Sequence, residues 1–428
     1  MRDWDSLRYT IHRGQYEIGG MCIEVSSDDG TRVLLDLGMP LVAPDGGDFP
    51  RDTPQRPTEQ LLADGILRDV PGLYPHDATA PAIEAIILTH SHLDHYGLAH
   101  HAHPAIPVYG SDGTVSILEV GSVFFPDAVV PPDLRRLPAD KPVRFGGLSV
   151  TAIPVDHAAP DSRALLVEAD GQRLLYTGDF RAHGRTGFRF DNLLADERLR
   201  GVDWLLIEGT TLGSSAGSHG LSSESDVEVA LHALAREHDH RFIAVVASGQ
   251  NLDRLVSCFR AARRSGRLLV IDSYQAYVLM KLSGLSKAIP QFTWDGVRVS
   301  FAPHQVSRLK EAGMMDLVYE MSGQGKVTSN ELAAAPGDYL ACVRGGYGMT
   351  KVFDKIGSDR VVLVWSMWRG YWDREACAMR EWAERVGSEP QFIHSGGHAW
   401  SEDLRRLANT IAAKQTVWVH TDSTTPAV

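Results

Sequence analysis

Three histidines and one aspartate crowd into six positions of THSHLDHYG, Thr89 to Gly97, directly after the apolar run Ala85 to Leu88. A short apolar run of this kind reads as a buried strand, so His90, His92, Asp94 and His95 sit on a tight loop at the strand's exit. Imidazoles and carboxylates at this density are what borderline divalent metals such as zinc require as ligands. Cysteine offers no competing donor set. Cys22, Cys258, Cys342 and Cys377 are far apart and form no CxxC pair, so neither a disulfide framework nor a thiolate zinc site is supported. Any metal here must be held by His, Asp and Glu.

At 428 residues the length prior gives about two to three domains and enough chain for a sizeable core. The hydrophobic share of 43% and charged share of 22% are those of an ordinary globular protein. No segment reads as a membrane span, and the first residues, MRDWDSLRYTIHRG, carry charges without an apolar h-region. The cytoplasm is therefore the expected location. A net charge of −12 argues against a general nucleic-acid coat protein, whose affinity comes from clustered Lys and Arg. A phosphodiester substrate stays open, since two bound divalent cations add four positive charges locally. Arg254, Arg260, Arg263, Arg264 and Arg267 form one basic cluster that reads equally well as a solvated helix face.

Up to about Gly209 short apolar strands alternate with Gly and Asp turns. Met21 to Val25 with Arg32 to Leu37, and Leu165 to Ala169 with Arg173 to Thr177, read as hairpins. The Pro-, Gly- and Asp-rich stretch between Gly38 and Ala82 reads as a long loop with a short helix around Leu61 to Leu67, placed to border a substrate cleft. From about Thr210 strand and helix alternate. Helices are predicted at Ser223 to Glu237, Leu252 to Arg264 and Met349 to Ile356. Strands are predicted at Phe242 to Ala247, Leu268 to Ile271, Tyr339 to Val343 and Val361 to Trp365. That alternation is the signature of a parallel α/β layer. A final strand, helix and strand follow at Gln391 to His394, Asp403 to Ala413 and Thr416 to His420.

Four further residues stand at the C-terminal ends of apolar strands: Asp36 in VLLDLG, His157 in AIPVDH, Asp179 in LLYTGD and His420 in TVWVH. Strand ends present side chains to one shared rim, where residues distant in sequence can converge. The combination HxHxDH, a later His and then GD resembles the metallo-β-lactamase fold of hydrolases. By that resemblance His90, His92 and His157 would hold one zinc, Asp94 and His95 the second, and Asp179 would bridge both. Asp36 would orient the loop from behind the ligands, a role with a physical motive because ligands need fixed tautomers.

LLIEGTTLG, the α/β stretch, IHSGGHAWSEDL and VWVHTDS together resemble the β-CASP branch, which acts on nucleic acids. The branch's three extra motifs map onto Glu208, His398 and His420. RNA-acting members, among them the RNase J group and the RNA 3′-end-processing nucleases, carry His at the third position, and DNA-acting members carry Val. His420 therefore implies RNA. The sequence departs from the branch where His420 is followed by Thr421 and Asp422 rather than Gly-Glu, and where Gly396 and Gly397 precede His398. The chain also stops eight residues after His420, and by the resemblance it looks like the compact form of the family.

The fold class implied is α/β: a metallo-β-lactamase αββα sandwich with an inserted parallel α/β β-CASP domain. The first part of the sandwich would occupy 1–210, the insert 211–385, and the completion of the sandwich 386–428. The function implied is a zinc-dependent ribonuclease with two Zn2+ per chain and a cleft between the domains, leaving a 5′-phosphate and a 3′-hydroxyl. In that reading a hydroxide shared by two metals attacks phosphorus, with Asp94 and Asp179 among the catalytic groups. His398 donates the proton to the leaving ribose oxygen, and Glu208 orients it. Ser248, Gly249 and Arg254, at a helix start after a strand, and Arg344 after another strand, are candidate substrate contacts; an ordinary strand-to-helix connection explains them as well. His394 reads as structural, and His100, His101 and His103 as solvated. The expected partner is single-stranded RNA, with a 5′-phosphate and a homodimer both open, and no membrane. Three rival readings remain: a DNA nuclease, a small-molecule hydrolase, and a non-catalytic RNA-binding scaffold.

Overall fold

The computed structural model of the chain describes residues 7–43, 46–212, 220–374 and 376–422. Its chain divides into two compact units, one of Met1–Ala182, Thr186–Ser215 and Gly397–Val428, the other of His183–Arg185 and Ala216–Gly396.

The first unit opens with β1 (Arg8–Arg13), β2 (Cys22–Ser26), β3 (Arg32–Leu35), β4 (Ala85–Ile87), β5 (Val108–Gly110) and β6 (Leu134–Arg136), which form one sheet in that order. The predicted hairpin of β2 and β3 pairs antiparallel with Ile23 opposite Leu35, and β4 then joins β3 in parallel. A second sheet follows with β7 (Pro142–Phe145), β8 (Leu148–Pro154), β9 (Arg163–Ala169), β10 (Gln172–Tyr176) and β11 (Trp204–Glu208).

The second unit is built on β12 (Phe242–Val246), β13 (Leu268–Asp272), β14 (Val297–Ser300), β15 (Lys326–Val327), β16 (Tyr339–Val343), β17 (Val361–Trp365) and β18 (Gln391–Phe392). The last strand of the chain, β19 (Gln415–Val419), returns to the first unit and pairs in parallel with β11, Glu208 opposite Val419. That pairing brings His420 to the strand end where Glu208 also lies.

Alternation decides the layering of the first unit. Ile23, Val33, Ala85, Val150, Leu165, Leu206 and Val419 project into one cluster that joins the inner faces of both sheets. The opposite faces are covered separately, the first sheet by Leu61, Leu73, Leu98 and Leu118, and the second by Phe190, Leu193, Leu404 and Leu407. Two sheets with helices on both outer faces make the αββα sandwich.

In the second unit the central strand β12 is buried along its whole length, as a parallel strand covered on both faces must be. The sheet order is β15-β14-β13-β16-β12-β17-β18, and every pairing is parallel. The helix Leu252–Arg264 starts where the Asn251 side chain accepts the Arg254 amide, and it buries Leu255, Cys258, Phe259 and Ala262, one apolar stripe at helical spacing.

Several boundaries differ from the sequence reading. The units divide at 215/216 and 396/397 rather than at 210/211 and 385/386, because β18 pairs with β17 and stays with the second unit. The strand predicted to Gln391–His394 ends at Phe392. The helix expected at Leu61–Leu67 spans Thr58–Ala63, just before Gly65 turns the chain at φ +68°. Within the long 38–82 stretch Leu61, Ile66, Leu67, Val70, Leu73 and Tyr74 are core residues against the first sheet.

Candidate metal centre

All the strand-end ligand types belong to the first unit, and they converge. His90, His92, His157 and Asp179 can each offer one ligand atom, all within 4.8 Å of one another; Asp94, His95, Asp179 and His420 form a second such set. Asp179 belongs to both. A third set, Asp179, Glu208, His398 and His420, meets the same limit. Each of these residues is buried except His92 and His398, which are partly open.

The local backbone explains the convergence. After β4 the chain turns through Thr89 to Ser91, and the one-turn helix Leu93–Tyr96 carries Asp94 and His95 inward. Gly38 is what lets this loop lie so close: a Cβ there would run into the Asp94 carbonyl. Asp36 and His420 hold left-handed backbone, at φ +62° and +53°, a conformation that costs non-glycine residues energy and recurs at functional sites.

Hydrogen bonds fix which ring nitrogens face inward. His95 Nδ1 lies 2.8 Å from Asp36 Oδ2, and His157 Nδ1 donates to the Gly397 carbonyl at 2.6 Å. Both bonds leave Nε2 toward the cluster. His420 Nδ1 lies 2.8 Å from Thr210 Oγ1, and its Nε2 lies 3.1 Å from Asp94 Oδ2. Asp36 is the hub behind the loop: it accepts the Thr89 amide at 2.7 Å, the Thr89 hydroxyl at 2.8 Å and the Tyr176 hydroxyl at 2.9 Å.

Burial and mutual repulsion hold His90 and His157 well below the ordinary histidine range, and burial pulls His92 down to about 4. Neutral imidazoles are the form that ligates. For His95 burial also works downward, but the Asp179 and Asp36 carboxylates outweigh it and raise the pKa well above the ordinary value. Asp179 is the converse: burial pushes its pKa up, and the His420, His95 and His398 rings hold it well below the carboxylate range.

The site's centre fits cations. His90 Nε2, His95 Nε2 and both carboxylate oxygens of Asp179 are buried without any hydrogen bond; His95 Nε2 lies 3.3 Å from Asp179 Oδ2 without the geometry of one. Each orphaned buried group costs about 1–3 kcal/mol, and four of them pointing at one place are what ligated ions would satisfy.

His398 stands beside this centre. Its Nδ1 lies 3.0 Å from Glu208 Oε2, and the other Glu208 oxygen accepts the Phe180 amide at 2.9 Å. Burial would lower the His398 pKa, but the Glu208 and Asp179 carboxylates raise it to about 9.

The candidate substrate contacts divide. In the second unit Ser248 is exposed, Gly249 lies buried against Tyr274, and Arg344 places its guanidinium 4.5 Å over the Tyr274 ring with Nε 3.1 Å from Asp272. Those three meet at the C-terminal ends of neighbouring strands. Arg254 is a correction. It is fully buried, donating to Glu224 at 2.7 Å, to the Ser366 carbonyl and hydroxyl at 2.5 Å and to the Ser395 carbonyl at 3.3 Å. A guanidinium so saturated ties helix to strand ends and is not presented to a ligand.

Of the basic cluster around it, Arg267 is buried on main-chain carbonyls, while Arg260 and Arg264, half exposed, lie 3.7 and 3.2 Å from Glu228. His100 and His101 are not solvated: each reaches the Pro54 carbonyl at 2.8 Å, and His101 also meets Thr58.

Sequence reasoning missed Thr89, Tyr176 and Thr210, the partners that orient ligand-type side chains. For Tyr176 a signal existed: a tyrosine that closes the apolar run Leu174–Leu175 at a strand end must find a partner for its hydroxyl when buried.

Comparison with known proteins agrees with this architecture. Residues 63–245 match the family described as the β-lactamase superfamily domain. Ribonuclease J of Mycobacterium tuberculosis is 32% identical over 365 residues, covering 79% of this chain and 58% of that protein. Ribonuclease J 2 of Streptococcus pyogenes is 23% identical over 268 residues, 61% of this chain and 47% of that one. An RNase J-like protein of Methanocaldococcus jannaschii is 23% identical over 302 residues, 67% of this chain and 58% of that one. The chain thus spans between about half and three fifths of the length of these curated relatives. A crystal structure of a protein of unknown function from Enterococcus faecalis V583 shares the fold with a TM-score of 0.76 at 22% identity, covering 97% of this chain and 94% of the other.

Proposed function

We propose, from a chain that carries a β-lactamase superfamily domain and is RNase J-like in sequence, that it is a metal-dependent ribonuclease of the β-CASP branch. The observation that carries the reading is Asp179, a buried carboxylate with no hydrogen bond that completes two four-residue ligand sets at once. In this reading His90, His92, His157 and Asp179 hold one zinc ion, and Asp94, His95, Asp179 and His420 the other. Two such ions, when bound, activate water at neutral pH and stabilise charge on the phosphate oxygens.

The chain's own residues do the rest. Asp36 takes the Nδ1 proton of His95 and so aims its Nε2 at the metal. His398 meets the requirement for a general acid: a pKa raised to about 9 keeps it protonated at neutral pH, and Glu208 holds Nδ1–H so that the proton at Nε2 is the one delivered to the leaving ribose oxygen. The second unit takes the place of the inserted β-CASP domain, with Ser248, Gly249 and Arg344 as phosphate contacts. Single-stranded RNA is the substrate class supported by the RNase J-like sequence and by His420. The test is cleavage of a labelled single-stranded RNA, with Asp94→Ala and His95→Ala expected to abolish it at unchanged fold. Full activity in either variant, or equal turnover of lactones or DNA by the wild type, would overturn the reading.

A further inference from the structure

His398 and Glu208 pair as an acid and its orienting carboxylate would, but a second carboxylate lies against the same ring nitrogen. Besides Glu208 Oε2 at 3.0 Å, His398 Nδ1 has Asp179 Oδ2 at 3.8 Å. Orientation of the ring needs one carboxylate, so Asp179 is surplus to that role. The lone pairs around Nδ1 are also free. The Phe180 amide occupies Glu208 Oε1 and leaves Oε2 to face His398. Asp179 Oδ2 is buried without any hydrogen bond, and of the about four lone-pair directions of a carboxylate two bridged ions use only two. Zinc bonds of about 2.0–2.2 Å set tetrahedral ligand atoms about 3.3–3.6 Å apart, a spacing that lies between the two contacts of His398 Nδ1. His420 belongs to the same set of potential ligands, but its Nε2 stands 3.1 Å from Asp94 Oδ2, on the side of the second ion. Three protein ligands and one open position remain.

We propose that Asp179 Oδ2, Glu208 Oε2 and His398 Nδ1 form a third and weaker metal seat, filled by zinc in excess and inhibitory when filled. Three ligands in place of four, and repulsion from two cations already bound, make it the last to fill. The His398 side chain is 27% exposed where those of Asp179 and Glu208 are 1% exposed, which gives an ion its way in. The ion takes the place of the proton between His398 and Glu208, and that proton passes to solvent. His398 is then a neutral, metal-bound ring, and the hydrogen left on Nε2 is poorly acidic toward a leaving ribose oxygen. The inhibition rests on the ribonuclease reading; the seat itself does not depend on turnover.

The test counts zinc per chain by elemental analysis after dialysis of the full chain against rising buffered free zinc, alongside cleavage of a labelled single-stranded RNA by the wild type. The wild-type count should step from two to three, and cleavage should fall by about a hundredfold over the same step. Glu208→Gln and His398→Ala should each keep the first two ions and move the third step to free zinc at least about tenfold higher. The two substitutions are independent, so one that unfolds leaves the other to decide. Saturation of the wild type at two ions overturns the seat, as does a third ion that the folded variants hold as tightly as the wild type, an adventitious ion only. A third ion that binds through His398 while cleavage is undiminished overturns the inhibitory role. If the two-ion chain cleaves RNA and no third ion binds, the seat fails and the ribonuclease reading stands. If a third ion binds through His398 and Glu208 but no RNA is cleaved at any zinc level, the seat stands and the ribonuclease reading falls.

Discussion

At the scale of single residues the proposed chemistry turns on which proton sits where. Under it His398 is the acid, so His398→Ala should keep its metal and its thermal midpoint while kcat drops by about 10² to 10⁴. The acid form is present below its pKa of about 9, so the rate should fall as pH rises through that value. Glu208→Gln removes a charge that raises this pKa and should move the alkaline limb to lower pH; an unmoved limb would mean that another group is the acid. Asp36 is a positioning residue. Asp36→Ala strips His95, Thr89 and Tyr176 of a shared acceptor and should weaken metal affinity about 10- to 100-fold, measured by competition with a chelating dye. Unchanged affinity would show that the loop holds its shape without that carboxylate.

At the scale of elements the chain after β3 lies close against the His-rich loop at Gly38. Gly38→Ala drives a methyl into the Asp94 carbonyl and should cost about 1–3 kcal/mol as overpacking, with metal lost alongside; a chemical denaturation curve reads the first and elemental analysis the second. Arg254 makes the contrasting case. A buried guanidinium ion-paired with Glu224 predicts that Arg254→Ala destabilises the chain by about 3–5 kcal/mol. A substrate contact would instead raise KM at an unchanged midpoint. The same pair shows where the sequence stops being readable. Arginine in the first turn of a helix after a strand looks the same whether its guanidinium meets a phosphate or a glutamate thirty residues back. The convergence of His90, His92, Asp94, His95, His157, Asp179 and His420 was legible because each is a ligand type at a strand end or on the loop and helical turn that follow one, and strand ends share a rim. Thr89, Tyr176 and Thr210 were not, because a hydrogen-bond partner is chosen by the packing of two sheets, which no local pattern encodes.

At the scale of the whole molecule, burying this many imidazoles and carboxylates around orphaned oxygens predicts a fold whose stability depends on what it binds. Metal that binds only the native state adds about 1.4 kcal/mol of stability per tenfold rise in free metal above Kd, so the thermal midpoint should climb with metal concentration; a midpoint indifferent to chelator and to added zinc would contradict a buried metal centre. Among the described residues no helix is long and apolar enough to cross a membrane. The most direct test pairs elemental metal analysis with cleavage of a labelled single-stranded RNA, for the wild type and for Asp179→Asn. Two metal ions per wild-type chain, with loss of metal and of cleavage in the variant, is the outcome this account requires. Undiminished cleavage by Asp179→Asn, or by wild type after complete removal of metal, would contradict it.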